Sequence, residues 1–373
     1  MVGLSTDGPA GTFEGLGGWP GVLSRLLSRD DLTGDEAALV IGEVLAGDAS
    51  PAQIAAFVTA LRGKGETVEE MAGFVRAMLA HAEPLPVAGD LVDTCGTGGD
   101  RSSSINVSTM AALVVAGAGA RVCKHGGRAA SSAAGSADVL EALGVVIDLG
   151  PGGVARCIDE VGMGFCFAPR FHPAMRFAAP VRRELGIATI FNFLGPLANP
   201  ARARRQVVGV SDPAMAEKML GVLQANGAIR AMVVHGADGL DELSTTGPTV
   251  VLELGSPGAD ATFEADATSS AAIDAVRRST VDATDLGLGR ATLEDLRGGD
   301  AAANALVVRR VLGGDRGPHR DIVLLNAAAG LVVAGLVDTL AAGVVTAATV
   351  VDSGRASAVL DGLVRVSQDV APG

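Results

Sequence analysis

With 29 Lys and Arg against 42 Asp and Glu in 373 residues, a net charge of −13 and a pI near 4.8, the chain is acidic and long enough for one large domain or two of ordinary size. Hydrophobic residues at 48% and charged residues at 19% exclude a disordered or collagen-like polymer despite 51 glycines. An aromatic content of 3% with no Tyr, together with the negative charge, argues against a nucleic-acid reader built on stacking platforms or basic grooves, so no nucleic-acid partner is expected.

The N-terminal MVGLSTDGPAGTFEGLGG has no basic stretch leading into an apolar run, so no signal peptide is expected and residues 1–18 read as a flexible tail. Three capping boxes follow, Thr33 with Glu36, Ser50 with Gln53 and Thr67 with Glu70, each pairing a side-chain acceptor with a returning polar group at a helix start. Pro51 takes a first helical position, and Ile54, Phe57, Val58 and Leu61 recur at helical spacing. Residues 19–86 are therefore predicted to form a helical domain of about four amphipathic helices, ending at the Pro84/Pro86 linker.

Past that linker, short apolar runs alternate with helical segments: Leu91–Cys95, Arg121–Lys124, Val145–Ile147, Gly164–Phe167, Gln206–Val210 and Ala231–Val234. Such alternation predicts parallel strands with helical crossovers, so the fold class is a small helical N-terminal domain plus a large α/β domain over 87–373 with a mainly parallel central sheet. The longest apolar stretch, Ile322–Val337, is too short to span a bilayer and is interrupted by Asn326; it reads as a buried core helix, and no membrane partner is expected. Cys95, Cys123, Cys157 and Cys166 show no zinc spacing and are too few to staple the chain, which points to buried thiols in a reducing, cytoplasmic setting.

Four segments carry chemistry. Asp93-Thr94-Cys95-Gly96-Thr97-Gly98-Gly99-Asp100 runs from a strand into a glycine-rich turn ahead of a helix, where backbone N–H groups and the positive helix end can face a phosphate. It is neither a Walker A motif nor GxGxxG. From Arg101 through Ala137 there is no Asp or Glu, an arrangement that chance gives about one time in a hundred. That window holds Arg101, Arg121, Lys124, His125 and Arg128 with hydroxyls at Ser102, Ser103, Ser104, Ser108, Thr109, Ser131, Ser132 and Ser136, a donor inventory for a polyanion. Lys124-His125-Gly126-Gly127-Arg128-Ala129-Ala130-Ser131-Ser132 sits on the loop after a strand, where open parallel sheets bind ligands.

His172 and Arg182 are ten residues apart, close to three helical turns, and can share one helix face; there an Arg fork suits a carboxylate, or forms a surface salt bridge with Glu184. Asp241 and Glu242 follow a strand, and adjacent carboxylates held 4 Å apart repel by roughly 4 kcal/mol at an effective dielectric of 20. A Mg²⁺ between them and a phosphate would relieve this, provided Gly239 makes the turn that lets both converge.

In order along the chain, Cys95-Gly96-Thr97-Gly98-Gly99-Asp100, Asn106-Val107-Ser108-Thr109, Lys124-His125-Gly126 with Arg128, Gly135-Ser136-Ala137-Asp138, Phe167-Ala168-Pro169 with His172-Pro173-Ala174-Met175, Asn192 through Pro200 and Asp238 through Glu242 resemble the signatures of the anthranilate phosphoribosyltransferase family. The resemblance covers nearly the whole chain beyond the tail. It implies a nucleoside phosphorylase/phosphoribosyltransferase-like fold, helices from about 176–200 joining the helical domain, a homodimer, and transfer of phosphoribose from phosphoribosyl diphosphate to anthranilate in tryptophan biosynthesis. It further implies a phosphoribosyl diphosphate site at Gly96, Gly99, Asp100, Ser104, Asn106, Val107, Ser108, Thr109, Lys124 through Ser132 and Ser136. Magnesium falls to Ser108, Asp241 and Glu242, anthranilate to Gly96, His125, Gly127, His172 and Arg182, and the catalytic roles to Lys124, Asp241 and Glu242. Gly127 stands where the family has Asn, which leaves a different aromatic acceptor as an alternative; a nucleoside phosphorylase and a non-catalytic nucleic-acid-binding relative are the others.

Overall fold

A computed structural model describes residues 11–100, 102–129, 133–255 and 276–371. Helices α1 (Gly18–Leu27), α2 (Gly34–Ala46), α3 (Pro51–Lys64) and α4 (Val68–Ala80) form an N-terminal helical layer. All three capping boxes close as the spacing predicts: Thr33, Ser50 and Thr67 each accept from the backbone N–H three residues on, and Glu36, Gln53 and Glu70 return the bond. The layer is knitted by Trp19, Phe57 and Phe74, whose rings meet edge to face at 6.0 and 5.9 Å, each pair worth about 0.5–1.5 kcal/mol beyond its buried area. Residues 11–18, expected to continue the tail, carry a 3-10 turn whose Phe13 packs on Trp19 at 5.3 Å. Residues 1–10 lie outside the described residues.

The α/β domain follows as β1 (Val92–Gly96), α5 (Val107–Gly117), β2 (Val122–Gly126), α6 (Ser136–Ala142), α7 (Pro151–Val161), β3 (Met163–Phe167), α8 (Ala168–Phe171), α9 (Ala179–Leu185), α10 (Phe191–Leu194), β4 (Arg205–Gly209), α11 (Pro213–Ala225), β5 (Arg230–Gly236), β6 (Thr249–Leu254), β7 (Val276–Val281), α12 (Ala301–Leu312), α13 (Pro318–Ala334), α14 (Leu340–Asp352) and α15 (Arg355–Val370). The sheet order is β3-β2-β1-β4-β5-β6-β7, with β3 through β5 parallel and β6 and β7 antiparallel. Alternate residues of β5 enter opposite cores: Met232 and Val234 pack with α5 and α13, while Ala231 and Val233 pack with α4 and α11. A sheet covered on both faces needs apolar residues on both, which is why its strands read as continuous apolar runs. Residues 178–198 join the helical-layer core, with Ala178, Val181, Ile190, Phe191 and Leu194 all buried in it.

Two strand assignments change. Val145–Ile147 is not a strand: Val145 and Ile147 are buried in the core, but the Val146 N–H donates to Ser367 Oγ at 3.0 Å and not to a neighbouring strand. Conversely, β6 and β7 extend the sheet beyond the alternating pattern. β7 is an edge strand, and its exposed Arg277 and Arg278 give it a polar composition that hides it from a hydrophobicity reading. Chain order reverses between β1 and β4, and it is at the carboxyl ends of strands beside such a switch point that open α/β sheets bind ligands.

Candidate active site

A cleft of about 900 Å³ opens at those strand ends. It is lined by Gly96, Gly99, Asp100, Ser104, Asn106, Val107, Ser108, Thr109, Lys124, His125, Gly126, Gly127, Arg128, Ala129, Ser136, Arg182, Asp241 and Glu242. Ala130, Ser131 and Ser132 lie outside the described residues, as does Arg101.

Lys124 sits at the middle of β2 with 2% exposure, and its Nζ donates to the Thr94 carbonyl at 2.5 Å and to Ser108 Oγ at 3.2 Å. A buried ammonium is tolerable only with such partners and nearby negative charge. Part of that charge is Asp93, fully buried on β1, which accepts from His125 N at 3.2 Å and from Asn199 Nδ2 at 2.8 Å; burial pushes its carboxyl up and Lys124 pulls it back down. Asn199 also donates to the Cys123 carbonyl at 2.8 Å, so this buried pair ties β1 to β2 directly behind Lys124. The glycine-rich segment includes Asp93, but nothing in its spacing marks this role.

Asp241 and Glu242 do converge. Gly239, at φ 91°, turns the chain back so that Gly236 N donates to Leu240 O at 3.0 Å, and Asp238 caps the turn by accepting from Leu240 N at 3.0 Å. Asn326, the polar interruption in the core-helix run, is buried on α13 and clamps the next residue: its Oδ1 accepts from Leu243 N at 2.9 Å and its Nδ2 donates to Leu243 O at 2.8 Å. Asp241 then accepts from Gly98 N at 2.7 Å, and Glu242 accepts from Ser108 N at the start of α5. Neither acid pairs with a basic side chain among the described residues. Burial, then the Asp100 charge, pushes the Asp241 carboxyl up to about 7, and burial followed by Asp241 raises Glu242 well above the carboxylate range. Asp241 is buried and Glu242 half-buried, neither forms an ion pair among the described residues, and their hard oxygens beside the Ser108 hydroxyl could hold a hard divalent cation.

Glycines make room for this pair. A Cβ on Gly96 would stand 2.2 Å from Asp241 Oδ2, and one on Gly209 would stand 1.5 Å from the Asp241 carbonyl. Gly209→Ala is accordingly expected to shift the acidic turn and cost about 1–3 kcal/mol of stability, which thermal denaturation reads as a drop in Tm together with lost activity.

His125 reaches the cleft but is held neutral, pushed down to about 3 by burial and by His172, whose ring lies 5.1 Å away. His172 does not line the cleft. It stands behind His125, buried, with Nε2 2.9 Å from the Ala198 carbonyl. It does not share a helix face with Arg182 either: α8 ends at Phe171, a 3-10 turn follows from Pro173, and α9 starts separately at Ala179 with Pro180 in its first turn, because proline lacks the N–H that a continuing helix needs. Arg182 makes no ion pair among the described residues, Glu184 included; its guanidinium stands 5.8 Å from the Phe191 ring centroid, and burial alone pulls it below its usual range. Arg128 lines the cleft, yet its guanidinium is engaged by Asp138 at 2.9 Å and Glu141 at 2.8 Å, the first acids beyond the acid-free window. Asn192 and Ile187 also line the cleft, and the motifs do not mark them as site residues; Asn192 is visible only as part of the Asn192–Pro200 run.

Family models match both parts of the chain: residues 20–82 match the glycosyl transferase family helical bundle domain and residues 88–357 its a/b domain. The fold and cleft are thus those of a glycosyl transferase of the helical-bundle and α/β class. An anthranilate phosphoribosyltransferase from Arthrobacter sp. (strain FB24) is 52% identical over 349 residues, 92% of this chain and 94% of that relative, and one from Chloroflexus aggregans is 51% identical over 350 residues, 94% and 98%. The crystal structure of anthranilate phosphoribosyltransferase from Thermus thermophilus superposes with a TM-score of 0.85 at 42% identity, covering 93% of this chain and 99% of that one. The Saccharomyces cerevisiae enzyme in complex with PRPP and Mg gives 0.82 at 25% identity over 94% and 98%. The chain belongs to the anthranilate phosphoribosyltransferase family.

Proposed function

We propose that this chain transfers phosphoribose from 5-phosphoribosyl 1-diphosphate (PRPP) to the amine of anthranilate, releasing diphosphate, as a step of tryptophan biosynthesis. The observation that carries this is one cleft holding a buried ammonium, a row of hydroxyls and helix-start N–H groups, and two acids and an arginine that form no ion pair among the described residues. In this reading Gly96, Gly99, Asp100, Ser104, Asn106 through Thr109, the Lys124–Ser132 loop and Ser136 take PRPP. Arg182 reads the anthranilate carboxylate beside Gly96, His125 and Gly127. Asp241, Glu242 and Ser108 would hold Mg²⁺, which would neutralise charge on the diphosphate.

The reaction breaks the C1–O bond to diphosphate and forms a C1–N bond, with the proton lost by the amine passing to solvent or to the released diphosphate, so positive charge builds on the ribose and negative charge on the leaving group. Lys124 and the N–H groups opening α5 stand preorganised for the negative side. His125, uncharged at neutral pH, adds no cation that would oppose charge on the ribose. Arg182 aligns the acceptor for attack, and orientation of this kind is a large part of what such a site contributes. The same reading makes the working form a cytoplasmic homodimer, the compartment being supported by four buried free thiols.

Anthranilate fluorescence is expected to decay when the chain is mixed with PRPP and Mg²⁺, and to persist when PRPP is replaced by orthophosphate and a nucleoside. Persistence with PRPP, from protein shown to be folded by circular dichroism, would overturn the reading. A second reading, a bulkier aromatic acceptor, is favoured by Gly127, where a Cβ would meet nothing nearer than Ala168 at 3.9 Å; ring-substituted anthranilates in the same assay compare the two.

A further inference from the structure

A buried asparagine outside the cleft links two of its walls. Asn304 lies on α12 with 2% exposure, 198 residues after Asn106. Its Oδ1 accepts from Gly299 N at 2.8 Å and its Nδ2 donates to Asn106 Oδ1 at 2.9 Å; Asn106 Nδ2 in turn donates to the Ala134 carbonyl at 3.0 Å. Both ends of this relay are backbone groups of fixed polarity. The Gly299 N–H can only donate, so Asn304 must show it oxygen and turn its amide nitrogen to Asn106. The Ala134 carbonyl can only accept, so Asn106 must show it nitrogen and keep its oxygen for Asn304. Neither amide can flip without breaking two bonds, and each Asn106 polar atom keeps one further bonding position for a ligand.

The backbone braces the same place. Ile105 N donates to Leu296 O at 3.1 Å and Gly298 N to Ser103 O at 2.8 Å, so the segment before α12 runs beside the arm that leads into α5. A Cβ on Gly298 would stand 2.8 Å from Asn304 Oδ1, so the relay is closely packed.

We infer that Asn304 is a positioning residue for phosphoribosyl diphosphate, setting the orientation of the Asn106 amide and the spacing between α5 and the Ala134 loop. This rests on the reading that Asn106 binds that substrate. Steady-state kinetics of Asn304→Ala, Asn106→Ala and the double variant test it. Asn304→Ala is expected to raise KM for PRPP about tenfold, as loss of one buried hydrogen bond does, with KM for anthranilate within about twofold of wild type. The double variant should bind PRPP no worse than Asn106→Ala alone, since residues acting in one relay are not additive. Asn304→Asp keeps the shape and the Gly299 bond but sets an oxygen against the Asn106 oxygen; with its fold checked by circular dichroism it should raise KM for PRPP at least as much as alanine does, whereas a merely structural role would lower Tm and leave KM for PRPP unchanged. Additive single effects, an unchanged KM for PRPP in Asn304→Ala, or a milder aspartate would each overturn the inference. If Asn106→Ala itself left KM for PRPP unchanged, the reading of the site would fall, and the inference with it.

Discussion

Asp241→Asn and Glu242→Gln are each expected to lower Mg²⁺-dependent turnover by about 100-fold or more, as loss of one preorganised charged group at a transition state does, while leaving the protein folded and harder to melt. The two effects have one cause. Burial raises both carboxyls, with the Asp100 charge adding to it at Asp241 and the Asp241 charge at Glu242, so ionising either one costs the folded protein stability. An amide at 241 keeps an oxygen for the Gly98 N–H, and removes the charge. The pH dependence has a definite sign. An acid raised from 3.8 to about 7 on folding binds more protons folded than unfolded, so its ionisation cost is absent below about pH 4 and grows as pH rises toward 7. The Tm advantage of Asp241→Asn over wild type should therefore be largest at and above pH 7 and shrink as pH falls to 4. Near-wild-type turnover of both variants at low Mg²⁺ would remove the metal assignment.

Arg182→Ala should raise KM for anthranilate about 10- to 100-fold, the loss of a charge-assisted hydrogen-bonded pair, with far less change in KM for PRPP. Removing this arginine leaves no acid unpaired, because no acid among the described residues pairs with it; Tm should stay near wild type and the effect should fall on binding. Arg182→Lys keeps the charge but not the planar fork, so it should recover only part of the affinity. Equal rises for both substrates would assign Arg182 to general packing against Phe191 and not to carboxylate recognition.

Local chemistry is what the chain wrote plainly. A capping box joins residues three apart, so Thr33, Ser50 and Thr67 announced their helices without help from the rest of the molecule. The apolar runs at β1, β2, β4 and β5 were legible because both faces of those strands are buried, and the glycine-rich and acidic loops were legible because each is a contiguous set of residue types that one chemistry needs. The same rule explains the misreadings. Val145–Ile147 is as apolar as a strand, but whether a buried apolar triplet meets a neighbouring strand or the Ser367 hydroxyl depends on an element more than 200 residues away. The edge strand β7 lacked the pattern because its central Arg277 and Arg278 are exposed and only its end residues Val276 and Val281 pack against the cores.

Tertiary structure alone decided which groups of unlike sequence position meet. Asp93 with Asn199 behind Lys124, Asn326 on Leu243 and Asn304 on Asn106 are buried amides and acids whose meaning lies wholly in a partner 83 to 198 residues distant. Composition records that such a residue is polar. Only packing records that its bonds are taken up by backbone and side chains of the cleft, because a hydrogen bond acts over about 3 Å and sequence separation carries no information about that distance.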